Sequence, residues 1–376
     1  MSRENPVSSF PDDYGGFDTV ANSTLTRTER SRRLLDLWLI APLRVVWNDV
    51  RARVGATLVV SFVLMGIVGP AVVVEPRVGQ APLLVGPFQG GIIGGSWYEF
   101  TNTSLFGISV PWVAFHWPLG TDNVGRGILE QVVYATPRML TMITSAGVFV
   151  TVLGTSVGAL AGYSGGRLDQ ALSTVVDIVM TLPGLPLLLI LVALLEPKNP
   201  IILGVVLSLQ GWAGMARAIR SQVLTIRSTS YVEAAQAMGL STPTIVAKEV
   251  VPNIMPFVMI NMVNAMRGVI FASVGLYFLG LLPFSEVVNW GVMLQLAYSN
   301  GGMLTLDAAH WLLVPMIAII LLSMALILFA QGMDRVFNPR VRARHANTTS
   351  TADDTGSPDS ASSDPTSPAP SFGGDQ

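Results

Sequence analysis

The chain of 376 residues contains no cysteine, so disulfides and thiolate chemistry are both excluded. Charge is scarce as well. Only 12% of the residues are Asp, Glu, Lys or Arg, about half the share carried by soluble domains. Lysine is nearly absent: Lys198 follows Pro197, Lys248 follows Ala247, and there are no others. A phosphate-binding loop needs Gly-Lys-Ser/Thr after a glycine-rich turn, so nucleotide hydrolysis through that machinery is excluded. His116, His310 and His345 are the only histidines, and none stands at a metal-ligand spacing. No nucleophile elbow or catalytic dyad is present. A membrane enzyme therefore has no residues to stand on, and no cofactor or metal is expected. The net charge of −2 names no nucleic-acid partner.

Apolar residues are what the chain has in abundance. They make up 51% of it, with a mean hydropathy of +0.54. Apolar runs of about 20 residues recur, the length needed to cross a bilayer. Six candidate spans are predicted: Ala56–Val74, Met139–Ala161, Leu172–Leu195, Ile201–Ile219, Ile254–Leu282 and Trp311–Ala330. The first thirty residues are polar, have no apolar h-region and read as a solvated tail rather than a signal peptide.

Arginine placement orients the spans. Arg27, Arg30, Arg32, Arg33, Arg44, Arg51 and Arg53 precede the first. Arg217, Arg220, Arg227 and Lys248 separate the fourth from the fifth, and Arg335, Arg340, Arg342 and Arg344 follow the sixth. The stretch from Pro283 to His310 has no Lys or Arg. The positive-inside rule then puts both termini and the 220–250 segment in the cytoplasm of a multi-pass cell-membrane protein. The predicted division is a cytoplasmic tail over 1–54, a first span with a long exterior loop over 55–138, a five-helix core over 139–334, and a cytoplasmic tail over 335–376. From Asn347 onward the composition is Ser, Thr, Pro, Asp and Gly, which predicts disorder. Trp97, Tyr98, Trp112 and Trp117 in the exterior segment fit interfacial anchors or a docking surface.

Two charged residues, Asp177 and Arg267, fall well inside spans, where polar groups usually mark function. Asp177 fits either a structural place in the first turns of the third helix or a place on a pathway. Arg267 fits snorkelling, a pair with a partner, or a substrate role. Gly154, Gly158 and Gly162 recur at four-residue spacing and predict close helix packing in the second span. Pro183 and Pro186 are predicted to kink the third.

One short stretch interrupts the apolar runs: "SYVEAAQAMG", Ser230 to Gly239. Ser230 and Glu233 have the spacing of a capping box. Gly239 is predicted to stop the helix in the left-handed conformation, with Thr242 and Pro243 starting another. About eight residues cannot hold a helix alone in water, so this one needs a surface to dock on. Tyr231, Ala235 and Gly239 stand at i, i+4 and i+8, which predicts a shared face with a shallow notch for a soluble partner.

Here the chain resembles a family. "EAAQAMG" with "IVAKEVVPN" is similar to the EAA loop of ABC-importer permeases, through Glu233, Ala234, Ala235, Gly239, Ile245, Pro252 and Asn253. "HWPLGTDNVGRG", "GYSGGRLDQ", "VVDIVMTLPGLPLLLILVALL", "YFLGLL", "NWGVML" and "FNPRVR" resemble blocks of the second-permease branch of the dipeptide, oligopeptide and nickel importers. The chain departs from that pattern at Gly127, Ser273, Leu282 and Asn338. The resemblance implies an all-α integral membrane fold with six transmembrane helices, the type I importer permease. It implies a second homologous permease, two cytoplasmic ATPase subunits and an exterior solute-binding protein as partners, with the lipid bilayer and no nucleic acid. It places ATPase coupling on Glu233, Ala234, Ala235 and Gly239, within a loop at about 220–252. ATP hydrolysis would belong to the partners. The alternatives are a stand-alone secondary transporter or channel, and a membrane anchor or scaffold.

Overall fold

The computed structural model describes residues 47, 49–87, 98–105, 108–115, 117–282, 289–303 and 308–337. The expectations for the N-terminal tail, His116, Trp97 and the stretch from Asn347 lie outside them. The elements in chain order are α1 (Val50–Val72), β1 (Tyr98–Leu105), β2 (Ile108–Phe115), α2 (Ile128–Ser164), α3 (Gly166–Thr181) and α4 (Gly184–Leu195). There follow α5 (Pro200–Leu207), α6 (Gly211–Ile226), α7 (Ser230–Ala237), α8 (Thr242–Ile245), a π-helical turn (Val246–Val250), α9 (Val251–Phe278), α10 (Trp290–Ser299) and α11 (Ala309–Phe337).

α1, α2, the unbroken run Thr242–Phe278 and α11 are each long and apolar enough to cross a bilayer. The pairs α3–α4 and α5–α6 reach that length only jointly, bent by 83° and 57°. Counting each pair as one span gives the expected six. The third span bends where its prolines predict a kink, while the bend of the fourth is unforeseen. The third breaks at Leu182–Pro183, because the proline ring cannot continue the hydrogen-bond ladder. The fourth breaks at Ser208–Gln210, with no proline to announce it. The second span is longer than predicted. Pro137 lies within α2 and does not end it, so residues 128–138 belong to the helix and not to the preceding loop.

Small residues set the packing, as lipid supplies no hydrophobic drive between helices. A Cβ on Gly158 would come within 2.3 Å of the Ala216 carbonyl oxygen. On Gly154 it would meet Met215 Cβ at 2.8 Å, and on Gly162 the Arg220 carbonyl oxygen at 2.9 Å. The three glycines thus form the seam between α2 and α6. Gly55 does the same for α1 against α11, its added Cβ lying 2.5 Å from the Phe329 nitrogen. Trp290 on α10 fills the space between α1 and α2. It is fully buried, its ring lies 6.0 Å from that of Phe62, and its indole donates to the Val132 carbonyl at 3.2 Å.

Between α1 and α2 the chain forms an antiparallel hairpin, from Tyr98 opposite Phe115 to Leu105 opposite Ile108. No strand is expected from the sequence reading. The signal is a second strand, Ile108–Phe115, rich in β-branched and aromatic residues. Residues 117–127 then tie the loop to α2. Asp122 is fully buried and accepts from the amides of Val124 (3.0 Å) and Arg126 (2.8 Å). Its other oxygen accepts from Arg126 Nε (2.7 Å) and Gln131 Nε2 (3.1 Å). Gly120 holds a φ of +83° against the Val85 carbonyl and the His310 ring, where no side chain fits.

Candidate functional site

The Ser230–Gly239 stretch is a helix, and Gly239 stops it. Gly239 has a φ of +77°. Its amide donates to Gln236 O at 2.9 Å and the Leu240 amide to Ala235 O at 3.3 Å, the paired bonds of a Schellman ending. The start differs from expectation. Thr229, not Ser230, takes the extended N-cap backbone, and no side chain caps the helix. The Thr229 hydroxyl instead donates to the Ile226 carbonyl at 2.6 Å, so the Ser230–Glu233 capping box does not form. The second start also shifts by one residue, with Ser241 as N-cap and Thr242 first in α8.

The surface that holds α7 belongs to the chain itself. Val232 is fully buried and Ala235 is 2% exposed. Both enter an apolar cluster with Ile219 and Val223 of α6, Ala159 of α2 and Ile245 of α8. Ala235 is therefore corrected as the floor of an outward notch. Its face is the i, i+3 pair with Val232, and Gly239 lies beyond the last helical residue, where the helical period no longer applies. Two polar ties add to this docking. Gln236 Nε2 donates to the Tyr163 hydroxyl of α2 at 2.9 Å. The Asn253 side chain at the head of α9 donates to the Tyr231 hydroxyl. Sequence reasoning assigned no contact to Asn253. The outward side of α7 carries Tyr231, Glu233, Ala234, Ala237 and Met238, all exposed.

Asp177 and Pro183 belong to a second assembly, where α3 meets α6. α3 begins at Gly166, so its first-turn acid is Asp169, and Asp177 sits far down the helix. This removes the helix-N-terminus account of Asp177. Asp177 pairs with Arg217 of α6, both side chains being more than half exposed. Asp169 takes a two-pronged bond from Arg220, at 2.5 Å and 2.6 Å. These two ion pairs brace α3 to α6 beside a cavity of about 330 Å³. Pro183 caps α4 at the bend. The carbonyl of Leu182 accepts from Gln210 Nε2 at 2.8 Å, and Gln210 stands at the break of the neighbouring pair. One amide thus clasps both bends. Gln210→Leu is expected to leave the Leu182 carbonyl unsatisfied and to destabilise the chain by about 1–2 kcal/mol. A lowered thermal unfolding midpoint in detergent checks this, and an unchanged one refutes the clasp.

Arg267 lies on α9, away from both assemblies. Its guanidinium donates to Ser323 Oγ at 3.3 Å and Asn264 Oδ1 at 3.5 Å. Among the departures, Ser273 is fully buried and its hydroxyl donates to the Ile270 carbonyl at 2.9 Å. At Gly127 the side chain of Glu130 folds back over the backbone, within 1.9 Å of where a Cβ would stand. A carboxylate from the next turn thus fills the place where the resembling pattern has its aspartate.

Residues 154–343 match the family model described as binding-protein-dependent transport system inner membrane component. The chain is similar to the dipeptide transport system permease protein DppC of Bacillus subtilis (strain 168), 32% identical over 261 residues, covering 69% of this chain and 78% of the relative. It is 28% identical over 277 residues to the oligopeptide transport system permease protein OppC of the same organism, covering 74% and 82%. A solved inward-facing structure of the MetNI methionine ABC transporter aligns at TM-score 0.44 and 20% identity, over 56% of this chain and 98% of that one. The chain belongs to the binding-protein-dependent transport system inner membrane components, as an ABC-importer permease of the dipeptide and oligopeptide branch.

Proposed function

We propose that this permease forms half of a translocation pathway for di- or oligopeptides. It pairs with a second homologous permease, receives solute from an exterior binding protein, and is driven by two cytoplasmic ATPase subunits that alone hydrolyse ATP. Both termini and the Arg217–Lys248 segment face the cytoplasm, in keeping with the arginine asymmetry. The peptide assignment draws on relatives named for dipeptide and oligopeptide transport. Family membership sets aside the stand-alone transporter.

The observation that carries the coupling role is the two-sidedness of α7. Its inner side is seated in the chain's own core through Val232 and Ala235, while its outer side is uncovered. A push on the outer side is not absorbed locally. It passes to α2 through Gln236 and Tyr163, and to α9 through Tyr231 and Asn253. Rigid elements tied in this way move as units, which alternating access requires.

The test uses exposed positions, which leave the core intact. Ala234→Arg and Glu233→Arg are expected to preserve insertion and the unfolding midpoint. ATPase co-purification and uptake of a labelled dipeptide should fall at least about tenfold, the effect of spoiling a central contact residue. Wild-type uptake in both variants would end the assignment of α7 as the coupling helix.

A further inference from the structure

Arg267 is left without a counter-charge by everything described so far. It is half-buried on a membrane-spanning helix. Its two bonds, at 3.3 and 3.5 Å, are long and go to neutral oxygens. Among the described residues no carboxylate pairs with it. An ionised side chain at such a place is costly, and marks a site unless something neutralises it.

The guanidinium opens on a cavity of about 400 Å³ between the start of α1, the middle of α9 and the end of α11. Arg51, Asn264 and Gln331 also line it, so two arginines and two side-chain amides border one cavity. Asp49 lines it too. Its carboxylate accepts the Arg51 amide at 3.0 Å, as the N-cap of α1. Ile260 and Ile327 supply an apolar wall. Planar forks match the oxygens of a phosphate, and an apolar wall beside them suits an amphiphile rather than a free ion. The adjoining sequence adds Arg53 in α1 and Arg335 near the end of α11. Basic pockets between helices at such an end take anionic headgroups.

We infer that this cavity binds the phosphate of an anionic phospholipid headgroup, with Arg267 as its central ligand. The site is separate from the coupling surface and stands whether or not α7 couples to an ATPase.

The full-length chain, purified in neutral detergent, is titrated with short-chain phosphatidylglycerol, with phosphatidylcholine of equal chain length, and with inorganic phosphate. The unfolding midpoint is followed. Phosphatidylglycerol is expected to raise it and phosphatidylcholine to leave it nearly unchanged. Arg267→Gln should weaken the phosphatidylglycerol effect by about fivefold or more, the worth of one basic residue at a headgroup, while Arg267→Lys retains most of it. Gln331→Glu alters an exposed position and adds a repelling charge, so it should weaken the effect even if Arg267→Gln does not fold. Equal effects of the two lipids would overturn the site, as would wild-type titration by Gln331→Glu and Arg267→Gln alike. A full effect of inorganic phosphate alone would overturn the lipid as its source.

Discussion

Gly158→Val is expected to destabilise the permease severely. The glycine faces backbone: an added Cβ would stand 2.3 Å from the Ala216 carbonyl oxygen and 2.8 Å from Ile219 Cβ. A flexible side chain can swing aside, but the α6 backbone moves only if the whole helix does. Gly154 and Gly162, one turn away on either side, also hold that helix close, with an added Cβ meeting it at 2.8 Å and 2.9 Å. Overpacking costs about 1–3 kcal/mol in ordinary cores and occasionally more. A rigid obstacle on a seam three glycines long belongs at the top of that range. The measurement is the monodisperse fraction and unfolding midpoint in detergent. Gly214→Ala is the matched control on α6. Nothing lies within 4 Å of its added Cβ, so it should be neutral or stabilising by up to about 1 kcal/mol through helix propensity. A monodisperse Gly158→Val protein with a wild-type midpoint would refute the seam.

Ala235→Arg is the second substitution expected to have a large effect, and it acts on the fold before it acts on any partner. Ala235 is 2% exposed, beside Val232 in the cluster that seats α7. Arginine there either buries a charge without a counter-ion or lifts the helix off its seat. The expected cost is at least about 3 kcal/mol, the scale of an uncompensated buried charge. α7 cannot persist unseated, being only eight residues long. The unfolding midpoint should fall and ATPase co-purification should be lost with it. A normal midpoint with lost co-purification would restore the outward notch that the sequence suggests. Ala234→Arg, one residue earlier and exposed, separates the two cases, since it should lose the partner and keep the midpoint.

Ala235 also shows where sequence reading stops. Helical period says which residues share a face. It does not say whether the chain's own helices or another protein cover that face, and contacts far apart in sequence decide this. The straight spans were legible because apolar length alone specifies them. Gly239 and the glycine seam were legible because backbone geometry admits little else at those places. The bend at Ser208–Gln210 was not, since its partner, the Leu182 carbonyl, is 28 residues away and carries no side-chain signature. The hairpin was missed for a related reason. Its strands lie in a Gly- and Pro-rich segment, where short alternation is easily read as loop. Glu130 at Gly127 belongs to the same class, because a lost side chain was visible but its replacement from the next turn was not.

The unbroken run from Thr242 to Phe278 has a consequence in length. Its 37 residues, at 1.5 Å of rise each, reach about 55 Å. The hydrocarbon layer is only about 30 Å thick. α2 has the same 37 residues, and its final turn carries Tyr163, which holds α7. Two rods of equal reach therefore share one short crosspiece, tied to α2 in its last turn at Tyr163 and to the Thr242–Phe278 run at Asn253. In the proposed coupling, a displacement of α7 enters α2 at the same end as the glycine seam, so α2 and α6 move together.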